Sequence, residues 1–250
     1  MSLRLDAVSV FRAGRAIVND VSLECVPGGI TAFCGANGAG KTTALKVLVG
    51  ALKPDKGRAL LSNQLIDEIP GGELARRRAA VPQHPLLAFP FRVHEVVEMG
   101  RTPHFGRVTP ADDAEAVLGA IQSMGLSELA DRDYLTLSGG ERQRVMIARA
   151  LAQVWFSPEE GGARWLLLDE PTSALDLKHQ LALMTLLKKL ANEGWGVVCV
   201  LHDLQLIKRH ADQAAMFKGG QLASVGAPQD ELTAERVADI FDLDAPYDLI

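Results

Sequence analysis

Two short segments of this 250-residue chain could each hold an anion with backbone donors. The first, Gly35-Ala36-Asn37-Gly38-Ala39-Gly40-Lys41-Thr42, fits G-x-x-x-x-G-K-[ST] in full. Its glycines let the backbone curl until successive N–H groups face phosphate oxygens. A helix expected to start near Gly40 adds its positive dipole end. In such a loop Lys41 would reach the β- and γ-phosphates and the Thr42 hydroxyl would ligate Mg²⁺. The second segment, Leu137-Ser138-Gly139-Gly140-Glu141, is a Ser-Gly-Gly turn opening a basic helix. A nucleotide that needs both cradles would be clamped between two bodies. A third segment, Trp165-Leu166-Leu167-Leu168-Asp169-Glu170, is an apolar strand ending in two acids. Alternation along a strand points the two carboxylates apart, leaving Asp169 for a magnesium shell and Glu170 for an attacking water. Alone this pattern is weak, because strands often end in an acid; beside a phosphate loop it gains weight.

The elements that must position these segments are readable from periodicity. Residues 3–10 and 21–26 alternate like half-buried antiparallel strands, and Ile30–Cys34 is a buried strand feeding the phosphate loop. A helix follows over Thr42–Leu52, stopped by Lys53-Pro54-Asp55-Lys56-Gly57, and residues 58–66 read as a strand pair. From about 84 to 150 helical patterns dominate, at 93–100, 110–124 and 139–152, as in a helical insertion. Buried strands return at Trp165–Leu168 and Val197–Leu201 around a long helix at 176–193. Strand, helix and strand make a right-handed βαβ unit, hence a parallel core sheet. A hairpin around Gly219-Gly220 and an acidic helical tail complete the pattern. The loop 155–164 is expected to be exposed and mobile.

Composition narrows the class. Hydrophobic residues make up 48%, enough for a sizeable core, and net charge is −5. The sequence pI near 5.7 argues against a nucleic-acid partner. The run Arg76-Arg77-Arg78 reads as a solvated helix face. Cys25, Cys34 and Cys199 form no C-x-x-C pair and read as buried apolar residues in a reducing compartment. The opening Met-Ser-Leu-Arg-Leu-Asp lacks the apolar core of a secretory signal, and no stretch approaches about 18 uninterrupted apolar residues, so no membrane span is expected. His84, His94, His104, His179 and His210 show no metal-ligand spacing and are read as structural.

Residues 35–42, Gln83, 137–141, 165–170, Ser173-Ala174-Leu175-Asp176 and His202 follow one another as in an ATP-binding cassette, and the resemblance covers essentially the whole chain. It implies an α/β P-loop ATPase core with a parallel sheet, an N-terminal antiparallel β subdomain and a helical subdomain. As one domain over 1–250, the nucleotide-binding core would be 1–83 and 151–250, and the helical subdomain 84–150. It implies ATP contacts from Gly35, Ala36, Asn37, Gly38, Ala39, Gly40, Lys41, Thr42 and Thr43, with Thr42, Gln83 and Asp169 at Mg²⁺. Glu170 becomes the general base, and His202 holds the γ-phosphate or the water. Ser138, Gly139, Gly140 and Glu141 serve the nucleotide of a second copy, and Asp176 lies at the seam between copies. Phe11 resembles an adenine-stacking aromatic; a core aromatic is the other reading. Two residues depart from the family pattern: Ala36 replaces a usual proline, and Glu141 a usual glutamine, its carboxylate facing either the seam or solvent.

Three roles for the ATP compete. A soluble translation factor usually carries two cassettes, and repair or chromosome relatives insert long coiled coils, absent from the short interval between Gln83 and Ser138. An importer subunit is the reading left. The segment Gln83-His84-Pro85-Leu86-Leu87-Ala88-Phe89-Pro90-Phe91 and its continuation Met99-Gly100-Arg101-Thr102-Pro103-His104 resemble the iron-siderophore, vitamin B12 and haem importer group, most closely haem (hemin) import ATP-binding proteins of the HmuV type. The resemblance implies two permease subunits, a periplasmic binding protein reached through the complex, and a peripheral place on the cytoplasmic face of the bacterial inner membrane. Residues 84–91 would receive a cytoplasmic permease helix, or else pack on their own subdomain. No haem ligand is expected on the chain itself, since Cys25-Val26-Pro27 is not a Cys-Pro pair.

Overall fold

The strands that carry the chemistry are apolar along their whole length because both their faces are covered. The computed structural model describes residues 2–83, 87, 89–156, 158 and 162–245. In chain order the elements are β1 (Leu3–Arg12), β2 (Arg15–Cys25), β3 (Ile30–Gly35), α1 (Lys41–Val49), β4 (Lys56–Leu61), β5 (Gln64–Leu65), α2 (Gly71–Arg77), β6 (Arg78–Val81), α3 (Val93–Glu98), α4 (Pro110–Ser123) and α5 (Gly139–Gln153). They continue as β7 (Trp165–Asp169), α6 (Leu177–Asn192), β8 (Gly196–Val200), α7 (Leu204–His210), β9 (Gln213–Lys218), β10 (Gln221–Gly226), α8 (Pro228–Glu231) and α9 (Ala234–Phe241). Short 3₁₀ turns join several of them, one continuing α3 through Met99–His104.

A six-stranded sheet runs β10-β9-β3-β8-β7-β6, parallel except for the β9–β10 hairpin. An antiparallel sheet runs β2-β1-β4-β5. Every residue of β3, β7 and β8 is buried, as expected of parallel strands covered on both faces. Alternate side chains enter two cores. Ala32, Cys34, Leu166, Leu168 and Cys199 face the helices. Phe33, Trp165, Leu167, Val198 and Phe217 face α1 and the antiparallel sheet, with the Phe33 and Phe217 rings 5.1 Å apart.

The β7-α6-β8 unit is parallel, as its pattern predicts. Strand β1 changes parity midway: Leu3 and Leu5 are buried, then Val8 and Val10. A register shift separates Leu5 from Val8, with Ala7 at φ 51°. The extra residue moves the apolar set to even positions and keeps it on the core. The strand pair at 58–66 is real but tight, turning on Ser62 and Asn63, both at positive φ.

Two expectations fail. Arg76 and Arg77 are not a solvated face: they are 7% and 8% exposed, on α2. Arg77 reaches Glu73 at 3.2 Å, and Arg76 donates to the Gly72 carbonyl at 3.0 Å. Arg78 opens the edge strand β6, opposite Trp165, and burial lowers its pKa to about 10. Long guanidinium stems here cover apolar surface. Nor is 155–164 exposed where it is described. Trp155 packs on the core, Pro158 is buried, and Arg164 stands 4.2 Å over the Trp195 ring. Ser157 and residues 159–161 lie outside the described residues.

Candidate functional site

Strand β3 ends at the phosphate loop, and two glycines let it turn there. Gly35 has φ 140°, and a Cβ on it would sit 2.1 Å from the Phe217 carbonyl oxygen. Gly40 has φ 98°, and its Cβ would lie 2.6 Å from the Ile17 carbonyl oxygen. Gly40 is also the N-cap of α1, which has no side-chain cap and no acid in its first turn. The helix start thus presents backbone N–H groups and a positive dipole end with no resident anion. Lys41 is buried beneath the loop, its ammonium donating to the carbonyls of Gly35 at 2.7 Å and Ala36 at 2.8 Å. Burial lowers its pKa, against the pull of Glu170 and Asp169.

The parallel topology brings the other groups to the same edge, since β7 and β8 end beside β3. Asp169 is buried and accepts from the Thr42 hydroxyl at 3.0 Å. Burial raises its pKa, only partly offset by that bond. The next residue leaves the strand: Glu170 has φ 50°, a left-handed conformation. The two carboxylates therefore diverge through a backbone turn rather than through strand alternation alone. Glu170 reaches His202 Nε2 at 2.8 Å. Burial pushes the Glu170 pKa up, but the hydrogen bond and charge of His202, the Gln83 amide and Lys41 together bring it below the ordinary value. Ile17, Asn37–Thr43, Gln83, Glu170 and His202 line one cleft of about 580 Å³. A carboxylate paired to an imidazole, across a cleft from a lysine and a helix start, can hold a polyphosphate and polarise a water against it. Thr42 and Asp169 offer the hard oxygen donors that suit Mg²⁺, and a cation there would relieve the buried Asp169 charge.

The second segment builds a separate cleft of about 460 Å³, lined by Ser138–Glu141, Arg144, Ala174–Asp176 and His179. Gly140 allows the start of α5 to approach the 174–176 turn, where a Cβ would stand 2.8 Å from the Ala174 carbonyl oxygen. Glu141 lines this cleft rather than pointing into open solvent. Its Oε2 folds back to accept from Ser138 N–H at 2.8 Å and from the Ser138 hydroxyl at 2.8 Å. That hydroxyl in turn accepts from Glu141 N–H at 3.3 Å, completing a capping box. These Ser138 bonds hold the Glu141 carboxyl below the usual carboxylate range. Asp176 caps α6 by accepting from His179 N–H at 2.9 Å.

A family model for ABC transporters matches residues 18–173. The chain belongs to the ABC transporter family. This cassette is 44% identical over 241 residues, covering 96% of itself and 87% of the relative, to the hemin import ATP-binding protein HmuV of Gloeobacter violaceus. It is 43% identical, over 96% of itself and 92% of the relative, to HmuV of Hahella chejuensis. An inward-facing metal-chelate type ABC transporter superposes with TM-score 0.79 at 28% identity, covering 96% of this chain and 89% of that one. The dimeric post-hydrolysis cassette MJ0796 bound to ADP and Pi superposes with TM-score 0.77 at 27% identity, over 90% and 98% of the two chains. The α/β fold with its antiparallel N-terminal sheet is that of the family, and cassettes of the family bind ATP.

Against the sequence expectations, residues 37–43 of the phosphate loop, Gln83, Glu170 and His202 meet in the cassette's first cleft, with Asp169 held against Thr42. Ser138–Glu141 and Asp176 meet in the second. Phe11 is half-buried, outside both hydrophobic cores, with the Lys56 ammonium 5.9 Å from its ring. Three residues were missed: Ile17, Arg144 and His179. Ile17 lines the first cleft from the apolar run Ala16-Ile17-Val18, where nothing in the sequence marks it as a site residue. His179 lines the second, 2.7 Å from Asp176, rather than serving a core. His94 and His104 bond the carbonyls of Ala130 and Gln153 at 3.1 and 2.7 Å; His84 lies outside the described residues. The three cysteines are buried, their thiols pushed up to about 12 chiefly by burial. Among the described residues no cluster of three or more His, Cys, Asp or Glu could hold a metal, and no helix is long and apolar enough to cross a membrane.

Proposed function

We propose that this chain is the ATP-hydrolysing, energy-coupling subunit of an importer whose cargo is haem. The observation that carries the hydrolytic part is the first cleft, where the Glu170–His202 pair faces the Lys41 loop across a space fit for a triphosphate. Glu170 acts as general base and His202 positions the water or γ-phosphate. Lys41 and the loop amides of residues 35–43 stabilise charge developing on the transferred phosphoryl group. Thr42, Asp169 and Gln83 would hold Mg²⁺, which would add neutralisation of phosphate charge. Phe11, on β1, stacks on adenine.

Ser138, Gly139 and Gly140 serve the nucleotide of a second copy, with Glu141 in the same turn and Asp176 at the seam; the lining of two distinct clefts within one chain supports this reading. The chain works as one domain, core 1–83 and 151–250, with 84–150 as the helical subdomain. Its partners are two permease subunits and, through them, a periplasmic binding protein, at the cytoplasmic face of the inner membrane. Nucleic acid and direct haem contact have no part in it. Phe89 supports the docking face: it is 67% exposed, its ring 6.3 Å from that of Phe91, which packs on the core. Residues 84–86 and Ala88 lie outside the described residues.

The haem reading rests on the HmuV relatives. Its test is uptake by a deletion strain offered haem, ferric siderophore or vitamin B12. Loss of haem uptake alone is expected; loss of siderophore or B12 uptake alone would reassign the cargo. Phe89→Asp is expected to abolish uptake while sparing ATP binding, and unchanged uptake would refute the docking face.

A further inference from the structure

The Glu141 carboxylate occupies the donors that the second-copy reading assigns to an incoming γ-phosphate. One oxygen, Oε2, takes both the N–H and the hydroxyl of Ser138. Ser138 is exposed at the mouth of the second cleft, so this contact stands where a phosphate must arrive. Two anions cannot share those donors without strong repulsion. We propose that Glu141 is a resident competitor for the phosphate, which must leave Ser138 before the two copies close on ATP, and so sets how much ATP closure requires. This inference rests on the second-copy reading of the Ser138 segment.

The geometry provides a place for the displaced group. Arg144 lines the same cleft three residues further along α5, and residues three apart share a helix face. Its guanidinium donates to the carbonyls of Met124 and Gly125 at the end of α4, both at 3.0 Å, and, behind the Ser138 hydrogen bonds, its charge helps hold the Glu141 carboxyl low. A glutamine at 141 would keep the cap, since an amide oxygen can accept from Ser138 N–H, but would remove the charge. Charge and capping are therefore separable at this position.

The test uses the full-length chain with Glu170→Gln, which slows hydrolysis, and follows dimer formation against MgATP by sedimentation velocity. Glu141, Glu141→Gln and Glu141→Ala are compared. We expect Glu141→Gln to lower the half-saturating ATP concentration about three- to tenfold, the scale of one partly exposed charge contact. The difference is expected to shrink as salt is raised. Glu141→Ala is expected to lower it as well, with a reduced melting temperature from the lost cap. Equal ATP requirement in the glutamate and glutamine forms, with only the alanine form altered, would make Glu141 a helix cap alone and overturn the inference. Failure of all three to dimerise with ATP would overturn the second-copy reading itself, and the inference with it.

Discussion

Two helix starts of the molecule line its two clefts, and they are built in opposite ways. Helix α1 begins at Gly40 with no side-chain cap and no acid in its first turn. Helix α5 begins at Ser138 with a full capping box and Glu141 in its first turn. A capped helix start is worth about 1 kcal/mol more to the fold than an uncapped one. The first start forgoes that stabilisation and leaves its backbone N–H groups uncapped, while the Lys41 ammonium beneath it is held by the carbonyls of Gly35 and Ala36. The second is closed by its own side chains. The difference teaches that, on the proposed reading, a cleft used within one chain and a cleft used between copies would differ in whether the helix start is capped by the protein's own side chains.

The comparison can be broken most severely at Lys41. Lys41→Ala removes the cation under the open helix start and should lower ATP hydrolysis by the assembled complex at least about 10²-fold, with nucleotide binding to the isolated chain also weakened. Fluorescent-nucleotide titration and phosphate release measure the two. Next in size, Ser138→Ala should leave nucleotide binding to the isolated chain within about twofold, yet cut hydrolysis by the complex about tenfold or more. Its melting temperature should fall by the few degrees that about 1 kcal/mol of lost capping implies. Equal loss of binding in both variants would erase the distinction between the clefts.

A smaller effect concerns the base itself. Glu170 is held below its ordinary 4.5, so its charged form is favoured in the folded chain. That contribution is present above pH 4.5 and is lost as pH falls through the lower, folded value. The acid limb of kcat/KM that Glu170 contributes should therefore lie below pH 4.5. Replacing His202 by alanine removes the leading opposing contact and should move that limb upward, as measured on residual activity. A limb that stays in place would remove His202 from its part in setting the carboxylate.

Much of the first cleft is legible in sequence because its geometry is local. Eight residues carry the glycines, the lysine and the threonine that make the loop, and the apolar runs at β3 and β7 announce where it sits. The rest is written between distant residues. Arg76 and Arg77 look solvated in sequence, but the packing of α2 against the 3₁₀ turn after α3 buries them. The parity change in β1 follows from a bulge at Ala7 opposite two partner strands. Glu141 is a different case. Its contact is three residues away, and Ser-x-x-Glu before a helix is the sequence signature of a capping box, so the backbone role of Glu141 is legible locally.

Glu170 sits in the left-handed region at the exit of β7, where a residue with a side chain costs roughly 1 kcal/mol over glycine. The fold tolerates this because the turn aims the carboxylate at His202. Thermal robustness and turnover are thus in conflict at one position. A library of this chain selected only for heat resistance should drift towards glycine at 170, and its most durable members would be the ones that no longer burn ATP.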